Sequence, residues 1–207
     1  MKTVDFYFDF GSPNAYLSHK LIPSIAQRTG ASFNYVPVLL GGVFKLTNNI
    51  PPMQQFKDVK NKREYLQREM QRFVQKHAVP FQRNPHFPVN TVTVMRGAMV
   101  AQQEGFLARY VDAVYPHMWE MPKKLDDVEV IRATLTEASL DAEHILARTQ
   151  EQEIKDALAN STQAAVTRGI FGCPSFFVGE EMFFGKDRLA QVEEEILRAR
   201  IDPPASL

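Results

Sequence analysis

A serine between the end of a strand and the start of a helix holds its hydroxyl where the helix leaves backbone N–H groups unpaired and where the helix dipole favours negative charge. Ser12, in Phe10-Gly11-Ser12-Pro13, has that placement. Two readings stay open from the residues alone. Ser12 is either a plain N-cap, the common use of serine at this position, or a donor to an anion held at the helix start. The GxSxG elbow of hydrolases is missing around it, which disfavours a hydrolytic triad.

A second candidate is Gly169-Ile170-Phe171-Gly172-Cys173-Pro174-Ser175-Phe176-Phe177, where a proline stands at the mouth of a late strand. A cis bond there would expose the backbone N–H and C=O of Cys173 to a ligand, but trans is the majority state, so the residues alone favour an ordinary trans proline. A third is Gly185-Lys186-Asp187-Arg188, between a hairpin and the last helix. It reads either as a solvated helix cap or as a site for a ligand carrying both a carboxylate and an amine. The histidines at 19, 77, 86, 117 and 144 show neither HxxxH nor HExxH spacing, so no metal site is expected. Gly41-Gly42 matches neither GxxxxGK[ST] nor GxGxxG, which disfavours a nucleotide phosphate cradle. Cys173 is the only cysteine, so an internal disulfide, a CxxC pair and a thiolate zinc site are excluded, and a reducing, cytoplasmic setting is expected.

The chain that must position these groups has 207 residues, 44% hydrophobic and 23% charged, the make-up of a soluble globular protein. Twenty-four Lys and Arg balance twenty-four Asp and Glu, so the basic footprint of a nucleic-acid or anionic-membrane binder is missing. No run reaches 18 apolar residues, so no membrane span is expected. The N-terminus interrupts its apolar residues with Asp5 and Asp9 and lacks a small-residue cleavage site, so no secretory signal is expected.

Residues 3–10 alternate as a strand, with Val4, Phe6 and Phe8 on one face. Ser12-Pro13 opens a helix that runs to about residue 29, with Pro23 inside it and Gly30 as its stop. Residues 33–40 read as a second strand, completing a right-handed βαβ unit. Gly41-Gly42 and residues 47–52 read as loop, and residues 57–77 and most of 93–168 as helical. Asn90 is a candidate N-cap, and Asp126 with Glu129 has capping-box spacing. Strands return at 175–178 and 182–184 around a Gly179-Glu180 turn, followed by a helix over 187–200 and a tail, 202–207, expected to fray. This order describes one α/β domain, residues 1–45 and 169–207, interrupted by an all-helical insertion over 46–168.

Read together, Val4-Asp5-Phe6-Tyr7-Phe8-Asp9-Phe10-Gly11-Ser12-Pro13, Phe171-Gly172-Cys173-Pro174 and Phe184-Gly185-Lys186-Asp187-Arg188-Leu189 resemble the 2-hydroxychromene-2-carboxylate isomerases, which group with the kappa-class glutathione transferases. The likeness continues through Asn49 with Pro51-Pro52, through Lys62, Tyr65 and Arg72, and through Phe87-Pro88-Val89-Asn90-Thr91 ahead of Arg96-Gly97-Ala98, so it covers nearly the whole chain. The resemblance implies a thioredoxin-like fold interrupted by a DsbA-like helical insertion. Ser12-Pro13-Asn14-Ala15 stands where disulfide oxidoreductases of that shape carry CxxC, which excludes dithiol exchange there.

The resemblance also implies glutathione as a cofactor that is not consumed. Ser12 would face its sulfur, Cys173 and a cis Pro174 would pair the tripeptide as a short strand, and Asn49 would contribute to the same site. Asp187 would take the ammonium and the Lys186 N–H the carboxylate of its γ-glutamyl end. Lys45, Asn49 and Asn90 are the candidates for a small aromatic substrate. The implied chemistry converts a cyclic 2-hydroxychromene-2-carboxylate reversibly into a trans-o-hydroxybenzylidenepyruvate, by conjugate addition and loss of the thiolate. A homodimer is implied as well. Two departures stand out: Cys173 where relatives more often carry an aliphatic residue, and Glu69 where they often carry Asp. Cys173 is then either an inert buried thiol or the site of a mixed disulfide with glutathione. A kappa-like transferase and a non-catalytic thioredoxin-fold binding module stay open beside the isomerase.

Overall fold

Strand β1 (Thr3–Phe8) sends Val4, Phe6 and Phe8 to one face, where all three are fully buried. The chain is described from a computed structural model that covers residues 2–201; the tail expected to fray lies outside the described residues. Helix α1 (Pro13–Thr29) opens with Ser12 as N-cap, whose Oγ accepts the Ala15 N–H at 3.2 Å, and with Pro13 in the first turn, where its missing N–H costs nothing. It ends at Gly30, whose φ of 65° is a conformation glycine adopts without strain and whose N–H donates to the Ala26 carbonyl. Strand β2 (Ser32–Pro37) then pairs with β1 in parallel, Val4 opposite Phe33, completing the βαβ unit.

Eight helices intervene before the sheet resumes: α2 (Leu40–Thr47), α3 (Pro52–Gln55), α4 (Lys62–His77), α5 (Val92–Gln103), α6 (Leu107–Trp119), α7 (Val128–Glu137), α8 (Ala142–Arg148) and α9 (Gln152–Thr167). Strands β3 (Ser175–Val178) and β4 (Glu181–Phe184) form a hairpin, with β3 antiparallel to β1 and Phe6 opposite Phe176. The sheet order is β2-β1-β3-β4. A 3-10 turn at Lys186–Arg188 leads into α10 (Leu189–Ile201). This is a DsbA-like thioredoxin fold: one mixed four-stranded sheet whose first two and last two strands are separated along the chain by a block of helices. Aromatic packing joins sheet and helices, since Phe6 stacks on Phe176 at 5.2 Å and Phe10 meets Tyr115 of α6 edge-on at 4.8 Å.

The structure corrects several local expectations. Gly41-Gly42 lies inside α2, not in a loop, and β2 accordingly stops at Pro37. The N-cap residue of α2, Leu39, has no side-chain acceptor to offer; instead Leu40 N–H donates to Asp9 Oδ2 at 2.7 Å and Leu39 N–H to Thr162 Oγ1 at 3.0 Å. Capping groups supplied from so far along the chain leave no local signature. Helix α4 begins at Lys62, after Asn61 at a φ of 68°, and not at residue 57. Thr91, not Asn90, is the N-cap of α5, although Asn90 Oδ1 accepts the Val92 N–H at 3.1 Å. Asp127 caps α7 by accepting from Glu129 N–H, while Asp126 pairs with Lys124, so the cap lies one residue later than expected and, with Val130 at the third helical position, no capping box forms. The last helix starts at Leu189, after the 3-10 turn.

Helix α4 differs from its neighbours. None of its residues is buried, whereas α5 sinks Val94, Met95, Ala98 and Val100 into the core. Among the described residues no helix is long and apolar enough to cross a membrane.

Candidate active site

Ser12 is 4% exposed, and both capacities of its hydroxyl are in use. It accepts from Ala15 N–H and donates to the Cys173 carbonyl at 2.9 Å, so the start of α1 is latched to the loop that enters β3. Pro13 has no N–H to give, and Asn14 N–H has no partner among the described residues. An electropositive helix start with one free donor beside a hydroxyl suits a thiolate or carboxylate.

The Cys173–Pro174 bond is cis, against the reading from the residues alone and with the one the resemblance implied. A second cis bond, Phe87–Pro88, was not anticipated. Cys173 N–H has no partner among the described residues, and its C=O is held by Ser12. The thiol is buried, and burial, with the negative charge of Asp9 behind it, pushes its pKa well above the usual thiol range. A thiol in that state is a poor nucleophile.

Asp9 is the residue the motif reading missed. It is 1% exposed, with Oδ1 accepting from Gly11 N–H at 2.8 Å, Oδ2 from Leu40 N–H at 2.7 Å, and the Thr91 side chain as a third contact. Burial raises its pKa while those donors pull it back. One carboxylate thus fixes the start of α1, the start of α2 and the start of α5 around Ser12. Its signal in the sequence was a carboxylate at the apolar end of a strand.

Asn49, Lys186 and Asp187 also border the Cys173 loop. Asn49 Nδ2 donates to the Phe171 carbonyl at 3.0 Å. Gly185 N–H donates to the Pro174 carbonyl at 2.9 Å, which sets Lys186 and Asp187 beside it. Lys186 and Asp187 N–H groups have no partner among the described residues, and Lys186 Nζ pairs with Asp187 Oδ1 at 2.6 Å.

A cleft of about 230 Å³ opens at Pro13, next to Ser12. Phe56, Leu66, Met70, Phe81, Phe87 and Trp119 make it apolar, and Lys57, Arg63 and Arg83 stand at its wall. Arg63 and Arg83 have no carboxylate within salt-bridge distance among the described residues. Trp119 is anchored by its Nε1–H, which donates to the Phe10 carbonyl at 2.8 Å, and Phe81 stacks on it at 5.8 Å. Such a slot takes a flat aromatic molecule with one or two negative charges. Lys45, Asn49 and Asn90 do not line it; Lys45 and Asn90 are exposed. No metal-binding group of His, Cys, Asp and Glu side chains occurs among the described residues.

Residues 3–197 match the family described as DSBA-like thioredoxin domain. The chain is 32% identical over 201 residues to the 2-hydroxychromene-2-carboxylate isomerase of Pseudomonas putida, covering 94% of each protein. It is 24% identical to glutathione S-transferase kappa 1 of Caenorhabditis elegans over 89% of this chain and 86% of that one. A solved structure of a 2-hydroxychromene-2-carboxylate isomerase superposes with a TM-score of 0.84 at 27% identity, covering 99% of this chain and all of that one.

Proposed function

The chain belongs to the DSBA-like thioredoxin domain family and to the family of the 2-hydroxychromene-2-carboxylate isomerases, and from that premise we propose that it is a glutathione-dependent isomerase. Its substrate pair would be 2-hydroxychromene-2-carboxylate and the trans-o-hydroxybenzylidenepyruvate type of compound, formed in the breakdown of naphthalene-like aromatics. The observation that carries the reading is the latch from Ser12 to Cys173 at a helix start without CxxC, placed beside an apolar cleft with cations at its wall.

The residues fit glutathione. Cys173 N–H is unpaired, its C=O is held only by a hydroxyl that can turn away, and the ammonium-accepting Asp187 is close by. When bound, glutathione supplies a thiolate that adds reversibly to the substrate's enone, so that a double bond becomes one that can rotate. The Cys173 carbonyl would accept a peptide N–H of the ligand, and the Ser12 hydroxyl, turned from that carbonyl, would with Asn14 N–H be a donor to the sulfur. Asn49 holds the Cys173 loop in place through the Phe171 carbonyl. Asp187 takes the ligand's ammonium, and Lys186 N–H its carboxylate. Phe81, Phe87 and Trp119 offer an apolar aromatic wall to the substrate ring, while Lys57, Arg63 and Arg83 meet its carboxylate and phenolate. Lys45, Asn49 and Asn90 stay assigned to the substrate on the resemblance. Within this reading the protein works as a homodimer in the cytoplasm, where its lone cysteine stays reduced.

The test is the ultraviolet absorbance change of 2-hydroxychromene-2-carboxylate with purified protein, with and without glutathione. Conversion that needs both glutathione and Ser12 supports the reading; no conversion by the glutathione-saturated protein discards this substrate. The similarity to a kappa-class transferase favours one second reading, in which the same thiolate forms a stable conjugate with a small electrophile. Mass analysis of the products for a glutathione adduct separates the two.

A further inference from the structure

Charge is unevenly placed on a chain that is neutral overall. Residues 57–83 carry eight Lys and Arg against three Asp and Glu, while the totals over the whole chain are equal at twenty-four. Of those eight, Lys57 and Arg72 pair with Asp58 and Glu69, and Lys62 lies over the Phe56 ring at 5.2 Å. Lys60, Arg63, Arg68, Lys76 and Arg83 are exposed, with no carboxylate within salt-bridge distance among the described residues. Along α4, Arg68, Arg72 and Lys76 follow one another at four-residue spacing, where like charges weaken a helix, and no residue of α4 is buried. Neither packing nor helix stability accounts for the run. Its position does: Lys57, Arg63 and Arg83 stand at the wall of the apolar cleft, which no Asp or Glu lines among the described residues. Lys60 is three residues from both Lys57 and Arg63, and Arg68 follows Gln67 of the wall, yet neither lines the cleft. An apolar cleft rimmed by charges of one sign concentrates their field at its mouth.

We propose that α4 and the turn before it form an electrostatic funnel, and that Lys60 and Arg68 are specificity-determining residues that act without touching the ligand. Their charge adds to that of the wall and draws in aromatic anions, so a carboxylated ring enters faster than an uncharged ring of the same shape. The discrimination lies in the association rate; holding the anion once it is bound falls to Lys57, Arg63 and Arg83. This rests on the reading of the cleft as a slot for an aromatic anion and is independent of glutathione. Salt sets the reach of the field, which at about 0.1 M fades over about 10 Å.

Trp119, the only tryptophan of the chain and part of the cleft wall, is the reporter for the test. Stopped-flow quenching of its fluorescence by 2-naphthoate and by the uncharged 2-naphthamide gives association and dissociation rates without glutathione or turnover. With the natural protein, the association rate of 2-naphthoate should fall about tenfold between about 20 mM and about 500 mM salt, while that of 2-naphthamide stays level. Lys60→Glu combined with Arg68→Glu should slow 2-naphthoate association about tenfold at the lower salt and leave its dissociation rate and both rates of 2-naphthamide unchanged. At the higher salt the double variant should match the natural protein. An association rate of 2-naphthoate that does not respond to salt overturns the inference without any variant, and so does a double variant that associates at the natural rate. Quenching by neither probe overturns the aromatic-anion reading of the cleft, and this inference with it; the isomerase reading stands or falls separately, on the chromene absorbance assay.

Discussion

The Ser12 hydroxyl donates to the carbonyl of Cys173, a residue 161 positions away, at 2.9 Å. The same oxygen accepts the Ala15 N–H, so one small side chain caps α1 and ties it to the loop before β3. Ser12→Ala leaves a helix N–H uncapped and a buried carbonyl unpaired, a loss of about 1–3 kcal/mol in stability. Under the proposed function, glutathione-dependent turnover should fall by about 100-fold or more, since the hydroxyl assigned to the sulfur is removed. Chemical denaturation and absorbance progress curves on the same preparation measure the two effects separately.

Asp9 predicts a larger structural effect from a smaller change. Its two oxygens each accept a different backbone N–H, from Gly11 and from Leu40. Asp9→Asn keeps the shape but turns one acceptor into a donor facing a donor, which should cost about 2–3 kcal/mol. Amide exchange should speed up first at Leu40 and neighbouring residues of α2, whose cap is lost. Unchanged protection there would contradict this account of α2.

Gly97 on α5 faces Tyr110 on α6 at a distance that allows no side chain. A Cβ at Gly97 would lie 2.7 Å from Tyr110 Cζ, and Tyr110 is fully buried with its hydroxyl donating to the Val94 carbonyl at 2.9 Å. The ring cannot swing aside without breaking that bond. Gly97→Ala should therefore destabilise by about 2–4 kcal/mol, despite the better helix propensity of alanine. A lower melting temperature checks this, and Gly97→Ala with Tyr110→Phe should recover part of the loss.

Stability should fall on mild acidification, with His19 a main cause. Burial, with the charge of Lys20 behind it, holds its pKa down to about 4, against 6.5 for an ordinary histidine. Asp112, 3.7 Å from Nε2, is too exposed to reverse this. Between those two values the unfolded chain binds a proton that the folded protein does not, so stability rises with pH there. It is complete above about pH 6.5, is lost as pH drops toward 4, and is level below; the full contribution is about 3 kcal/mol. His117, shifted the same way by burial, adds to the same limb. His19→Gln, which keeps a polar partner for the Tyr35 hydroxyl, should flatten the melting temperature between pH 7 and 5.

The unpaired cations at the cleft wall give a kinetic prediction. Arg83→Leu should raise KM for a carboxylate substrate about tenfold with a smaller change in kcat, because the lost contact serves ground state and transition state alike. A fall in kcat at constant KM would place Arg83 in the reacting region instead.

The outer frame of the molecule was legible because its signals are local. Alternation marked β1, Ser12-Pro13 and Gly30 marked the ends of α1, and Gly179-Glu180 marked the hairpin. What stayed hidden depends on partners far along the chain. Helix α2 is capped by Asp9 and Thr162, so its glycines read as loop. The motifs of the resemblance pointed to the Ser12 and Cys173 ends of the site and touch the cleft at Pro13, Pro52 and Phe87, but Phe56, Leu66, Met70, Phe81 and Trp119, which make most of its apolar lining, belong to no motif. Phe81 and Trp119 are ordinary core residues until their stacking is seen.

Asp9 and Trp119 have a consequence for exchanging parts between relatives. The helices over residues 46–168 look like a cassette that could be replaced to change the ring system accepted. Yet Asp9 reaches across to Thr91, and Trp119 hangs from the Phe10 carbonyl. A chimaera made by swapping that segment inherits only one side of each contact. Residues 9–11 of the host and 91 and 119 of the donor have to be chosen as a matched set, or the new cleft will be built beside a displaced serine.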